Sequence, residues 1–402
     1  MKPSPSAAIP PPGSHITALD GVRGLAILAV LVHHFTLYGG PRPDSLVDKA
    51  YYYTALTGWW GVDLFFVLSG FLITGILFDA RGGAGFFRNF YMRRVLRIFP
   101  LYYGVLLVVF FLAPRFVEAG TAFGATIEDQ EWYWSYLVNV RLAVRGWPEF
   151  PVLGHFWSLA VEEQFYLAWP FVVFALSRRA LMRVSVACFV GALIFRVALT
   201  ATGHELAAYV LTPCRMDALA AGAFLALAAR GPGGLASIRR WTPAAGWVSG
   251  ALLAFLFVWQ RGLDTERVAI HTLGFSLLAI LSGVAIVVAL HAPRESWPGK
   301  VVHDRRLVFF GRYSYALYVF HHPIALLLPS LGISAAAMPR VFDSLVPGRL
   351  AIFVLGTLLS TGLALLSWHA WEAPFLRLKR LFPYGSRARL RVARSGQAGR
   401  LL

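Results

Sequence analysis

An arginine and a histidine share one helix face in the run LDGVRGLAILAVLVHHF, residues 19–35. Arg23 and His34 are eleven positions apart. At about 100° per residue, that step returns to within roughly 20° of its starting face after a rise of about 16 Å. His33 falls about 80° away from Arg23 on the same wheel, so His34 is the histidine that shares the arginine's face. A guanidinium suits a phosphate. An imidazole, with an ordinary pKa of about 6.5, suits proton transfer near neutral pH. Ionisable groups inside an apolar span are costly and mark cavities or sites; a snorkelling arginine with interfacial histidines is the plainer alternative.

Two further stretches carry similar chemistry. In GHFWSLAVEEQFYLAWP, His155, Glu162 and Trp169 recur at steps of seven and Ser158 precedes Glu162 by four, so all four line one helix face while Glu163 points about 100° away. In FFRNFYMRRVLRIFPLYYG, Arg94 and Arg97 are three apart, on what reads as a short helix in a basic loop, and this spacing can clamp a phosphate. Asp63 opens the span GVDLFFVLSGFLITG, whose Ser69, Gly70 and Gly75 let a neighbouring helix approach closely.

These groups must be held by membrane helices. The 402 residues are 57% hydrophobic and 14% charged, against about 25% charged in soluble domains. Ten apolar runs of about twenty residues, the length that crosses a hydrocarbon core, predict an all-α integral membrane protein. The spans fall near 18–38, 61–78, 101–117, 156–176, 181–200, 207–229, 242–260, 268–290, 307–329 and 349–371. Arginines and lysines crowd alternate loops (Arg81 to Arg97; Arg178 to Arg183; Arg230 to Arg240; Arg294 to Arg306; the tail), which places both termini in the cytoplasm. The net charge of +17 is thereby a topology signal against anionic lipid, and no nucleic-acid partner is implied. Residues 1–17 lack a charged start followed by an apolar run and read as a cytoplasmic segment; 18–375 form the membrane domain and 376–402 a basic cytoplasmic tail. Cys188 and Cys214 stand alone in apolar runs, with neither disulfide nor metal spacing. The long outer loop carries Trp132, Tyr133, Trp134 and Tyr136, as an aromatic belt or a sugar-stacking platform.

Six motifs in order resemble the acyltransferase 3 family of membrane O-acyltransferases. They are Arg23 with ten residues before His34, GVDLFFVLSGFLI, RRVLRIFPLYY, HFWSLAVEEQFYL, RMDALAAGAFLA around Asp217, and GRYSYALYVFHHP around His321. The closing EAPF, residues 372–375, is similar as well. The resemblance runs over residues 19–375 and implies a ten-helix domain that moves an acyl group, most often acetyl, from cytoplasmic acyl-CoA to a sugar hydroxyl. The acceptors it implies are surface or secreted glycans and glycoconjugates, and the location a plasma (inner) membrane. Some members continue into a soluble SGNH domain; only a short basic stretch follows here, so a one-domain enzyme is expected.

What the resemblance implies for residues is a base at His34, with Glu162 or Asp63 supporting it if they meet in space. Arg23, Arg94 and Arg97 would hold the phosphates of acyl-CoA, and His155, Trp157, Ser158, Tyr318 and His321 would meet the substrate. His322 stands where relatives often carry tryptophan, and metal is not expected. Direct transfer and an acyl-histidine relay both fit. The competing class is a transporter or flippase for a lipid-linked glycan or acyl carrier, which would use the same ionisable groups for proton coupling. No internal repeat of spans favours it. A membrane scaffold is a third reading, in which Arg23 and His34 serve folding alone.

Overall fold

The computed structural model describes residues 16–41, 43–115, 127–149, 151–263, 265 and 267–384. The Pro-rich start, the first part of the long outer loop and most of the basic tail lie outside the described residues, as do the sequence-level expectations placed on them. Ten long helices carry the chain: α1 (Thr17–Tyr38), α2 (Trp60–Ala80), α3 (Phe86–Leu107), α4 (Phe156–Ala175), α5 (Arg178–Ala201), α6 (Thr212–Ala228), α7 (Thr242–Gln260), α8 (Phe275–His291), α9 (Ser314–Ser330) and α10 (Val346–Ser367). Among the described residues, nine helical stretches are long and apolar enough to cross a membrane. The exception is α4, whose polar middle holds Glu162, Glu163 and Gln164. The architecture is all-helical, an isolated bridge between Val341 and Ser344 being the one piece of β pairing described.

The bundle is organised around α1, which packs against α2, α8, α9 and α10 and against the short helix Arg305–Arg312. Its flank is sealed by α6, which lies between α2 and α5. At the α2–α6 crossing a side chain on Gly70 would strike the carbonyl of Leu219, and one on Gly222 the carbonyl of Val67. Glycine at both positions lets the backbones touch, as small residues do at membrane helix contacts. By contrast, α5, α7 and α10 turn Val186, Ile194, Trp247, Phe255, Val354 and Leu358 outward. These exposed apolar rows are the lipid-facing surface that replaces a polar exterior.

Three expectations are corrected. The third span does not begin near residue 101. It begins at Phe86, so Arg94 and Arg97 lie within a long helix rather than on a short one in a loop. The helix runs through Pro100, whose carbonyl accepts from Trp371 Nε1 at 2.8 Å. The runs 207–229 and 307–329 are each broken. Leu211 is extended ahead of Pro213, which sits in the first turn of α6 where its missing N–H costs little, and Tyr313 divides Arg305–Arg312 from α9. The outer-loop aromatics do not form an open platform. Tyr133 and Tyr136 are buried, Tyr136 stacks on Tyr102 with centroids 4.1 Å apart, and Trp134 stacks on Tyr103. Their rings are used in packing on α3.

Candidate active site

Near one end of α1 the fold gathers histidines from three separate elements. His33 and His34 come from α1, His155 from the turn that enters α4, and His321 and His322 from α9. Ring centroids of His34 lie 4.8 Å from His321 and 4.9 Å from His322, while His155 stacks on His322 at 4.6 Å. Hydrogen bonds assign the tautomers. Nδ1–H of His321 donates to the Tyr318 carbonyl at 2.7 Å, which leaves Nε2 as a lone pair. That lone pair faces Nδ1 of His34 at 3.2 Å, and the same Nδ1 is 3.1 Å from the Val30 carbonyl. With two acceptors around it, Nδ1 of His34 carries the proton. Nε2 of His34 is then the unprotonated nitrogen, free to accept.

His322 has its own places, 3.4 Å from the Tyr38 hydroxyl and 3.2 Å from the Val152 carbonyl. His33 is set apart by a 2.6 Å contact to the Leu56 carbonyl, as the helical wheel expects. Both ring nitrogens of His155 are buried without a hydrogen-bond partner among the described residues.

On the other side of this cluster lies a cavity of about 540 Å³ between α1, α2, α3, α4 and α9. Its lining is rich in cations: Arg23, Arg94, Arg97, Arg312 and Lys379, with Asp20 and Glu162 as the acids. Arg23 pairs with Asp20 at 2.8 Å and keeps a third of its side chain exposed. Arg97 reaches Glu372 at 3.8 Å and lies 5.6 Å from the rings of Tyr315 and Trp368. Nε of Arg94 is buried without a partner among the described residues. Glu162 accepts from Ser69 at 2.5 Å, and Ser69 in turn accepts from Tyr166 at 2.9 Å. A cavity edged by guanidinium groups is suited to a polyanion.

Between cavity and histidines stands a wall made of two hydroxyls. Ser158 Oγ and Tyr318 OH are 2.6 Å apart, and each is also 3.1 Å from the carbonyl of His155. Both line the cavity, but none of the histidines does. Ser158 and Tyr318 therefore stand between the cavity and the histidine cluster.

The structure thus brings Arg23, Arg94, Arg97, Glu162, Ser158 and Tyr318 to one cavity, and His34, His155 and His321 to one cluster behind it. Glu162 does not meet His34; it faces the arginines. Asp63 is elsewhere, in a buried ion pair with Arg215 at 2.5 Å beside a second pair, Arg196 with Asp217 at 2.7 Å. Its carboxylate is spent on α6, because an arginine at 1% exposure in the bundle must be neutralised. Trp157 packs against Tyr209 and Phe66 near Arg215 and does not line the cavity. Asp20, Ser69, Tyr166, Arg312, Lys379 and His322 belong to the cavity or the cluster and were not expected from spacing. The step from Arg23 back to Asp20 was the one visible signal, since three residues is an ion-pair spacing on a helix. Among the described residues, no group of His, Cys, Asp and Glu has a metal-holding arrangement.

Residues 16–369 match the model of an acyltransferase domain. The chain is 27% identical over 393 residues to a putative O-acetyltransferase of Staphylococcus aureus, a match covering 90% of this chain and 57% of the relative. It is 26% identical over 324 residues to a peptidoglycan O-acetyltransferase of Listeria monocytogenes, covering 77% of this chain and 49% of the relative. A putative peptidoglycan O-acetyltransferase of Bacillus subtilis is 28% identical over 382 residues, covering 90% and 55%. The chain spans about half the length of these curated relatives. No solved structure matches. Since the domain model covers most of the sequence and all ten long helices, the chain belongs to this acyltransferase family.

Proposed function

We propose that this protein is a multi-pass O-acyltransferase of the plasma (inner) membrane that moves an acyl group, acetyl by preference, from cytoplasmic acyl-CoA to a hydroxyl of a cell-surface or secreted glycan. The observation that carries the reading is the adjacency of a polycationic cavity to a histidine whose free nitrogen is fixed by its neighbours. The names of the relatives point to a glycan of the cell envelope as acceptor. The basic-loop bias supports a cytoplasmic side for the cationic cavity and for both termini.

In this reading Arg23, Arg94, Arg97 and Lys379 hold the phosphates of the donor at the cavity mouth, and its acyl thioester reaches the Ser158–Tyr318 wall. His34 Nε2 takes the proton from the acceptor hydroxyl as the oxygen attacks the thioester carbonyl. Hydroxyls of Ser158 and Tyr318 donate to the oxyanion that forms. The C–S bond then breaks, and the proton on His34 passes to the departing thiolate. Nδ1–H of His34 stays on His321 throughout, so the ring does not turn between the two proton transfers.

The test uses membranes holding equal amounts of wild type and His34→Ala, given labelled acetyl-CoA from the cytoplasmic side, with label followed into carbohydrate. Removing a general base costs about 10²- to 10⁴-fold. A loss of that order with acetyl-CoA binding retained is the expected result. Undiminished transfer would remove His34 as the base, and absence of any dependence on acetyl-CoA in wild type would return the transporter reading.

A further inference from the structure

A second cavity, of about 270 Å³, opens on the lipid-facing side between α5, α6, α7 and α8. Phe189, Phe224, Leu225, Ala245, Gly283 and Val287 are among its walls, and no charged side chain lines it. Its two hydroxyls are already used by their own helices, Ser185 Oγ on the Leu181 carbonyl at 2.9 Å and Thr242 Oγ1 on the Ile238 carbonyl at 3.3 Å. The groove therefore offers hydrocarbon contact and nothing to a sugar.

One end of the groove is basic. Ile238 and Trp241 in its lining flank Arg239 and Arg240, and Ser185 and Val186 follow Arg183. All three arginines are exposed, and none forms an ion pair among the described residues. Segments 177–185 and 230–244 contain no acidic residue. The Arg240 guanidinium lies 5.2 Å from the Trp241 ring centroid, with that indole itself 62% exposed, the pairing of cation and aromatic typical of a headgroup boundary. This is the same end of the bundle as the cationic cavity, because Arg230 pairs with Asp79 and Arg81 donates to the Phe174 carbonyl there.

We propose that this groove is a binding site for one anionic phospholipid, an acyl chain lying between α5 and α7 and the phosphate resting on Arg183, Arg239 and Arg240. The apolar groove excludes a headgroup, and three unpaired guanidinium groups at its rim select a negative one. A bound chain also fills the space between α6 and α8, the helices that hold Arg215, Asp217 and Ser276 in the buried charge network. The lipid would then brace that network from outside, whichever reaction the protein performs.

Native mass spectrometry of the full chain in neutral detergent, titrated with phosphatidylglycerol or chain-matched phosphatidylcholine, tests the site. Wild type is expected to retain one phosphatidylglycerol under conditions that strip phosphatidylcholine, and to melt higher in its presence. Each arginine near an anionic headgroup is worth about fivefold. The triple variant Arg183→Gln/Arg239→Gln/Arg240→Gln should therefore lose at least about tenfold of the preference while keeping its fold in detergent. Filling the groove with Ala221→Phe/Ala245→Phe should remove the retained lipid with all three charges intact. Equal retention of the two lipids, or an unchanged preference in the arginine variant, would overturn the proposal. Displacement of phosphatidylglycerol by polyprenyl phosphate at lower concentration would overturn it too, in favour of a lipid-linked carrier. None of these outcomes depends on acyl transfer, so the site and the proposed activity stand or fall separately.

Discussion

In the proposed reaction His34 depends on what surrounds its other nitrogen. An imidazole alone in a protein can hold its proton on either side, and half of its possible arrangements present N–H where a base is wanted. Here His321 and the Val30 carbonyl both accept at Nδ1. His321 is thus a positioning residue. Its replacement in His321→Ala should lower kcat by about 10- to 100-fold, within the range for lost orienting partners, and leave KM for the acyl donor unchanged. His321→Gln, which can present a carbonyl oxygen to the same N–H, should recover part of the loss. Parallel steady-state kinetics on both variants checks this; equal loss in the two would reduce His321 to a packing role. Of this arrangement the sequence displayed His34 and Arg23 plainly, because a helix of known period places them without reference to anything else. It could not display the partner of Nδ1, which comes from α9, nearly three hundred residues further along the chain.

At the scale of elements, α2 and α6 are joined by backbone contact at Gly70 and Gly222 and by the ion pair Asp63–Arg215. Such a pair contributes little net stability, since desolvating both charges offsets their attraction, but removing one partner strands the other. Asp63→Leu should therefore destabilise by about 3–5 kcal/mol, read as a fall in melting temperature in detergent. The double variant Asp63→Leu/Arg215→Leu should recover most of that loss and most of the activity. Recovery of stability without activity would instead restore Asp63 to the chemistry. The sequence offered Asp63 as a support for His34, because an acid in an apolar span demands a partner and the histidine was the visible one. Arg215, inside TPCRMDALAAG, lay too far away in the chain to compete. The third helix was misread for a related reason. Arg88, Arg93, Arg94 and Arg97 look like a loop when judged by hydropathy, yet in the fold Arg94 and Arg97 line the cavity and Arg93 donates to the Lys379 and Phe382 carbonyls of the terminal turns.

Seen as a whole, the molecule is a helical bundle holding one cationic cavity and one histidine cluster, with a serine and a tyrosine between them. The all-helical membrane fold could be read from composition, nine of the ten expected spans being long and apolar enough to cross among the described residues, because bilayer thickness acts on every segment alike. The separation of cavity from histidines could not, because it depends on how α4 and α9 meet. Tyr318→Gly, with Ser158 left in place, should open a path from the cavity to the histidines. Proteoliposomes carrying that variant and a trapped pH-sensitive dye should collapse an imposed pH gradient several times faster than those carrying wild type, and an unchanged decay would show that the barrier lies elsewhere.

In the proposed reaction that pair of hydroxyls bears on the cell's energy supply as well as on acyl transfer. Each elementary charge crossing the bilayer dissipates about 2.3 kcal/mol per 100 mV of membrane potential. A protein that takes its donor from one side and its acceptor from the other, as proposed for this one, has to keep the two sides from joining into an ion leak. Two hydroxyl oxygens 2.6 Å apart, each 3.1 Å from the carbonyl of His155, stand between the cavity and the histidines, where the Tyr318→Gly experiment looks for that leak.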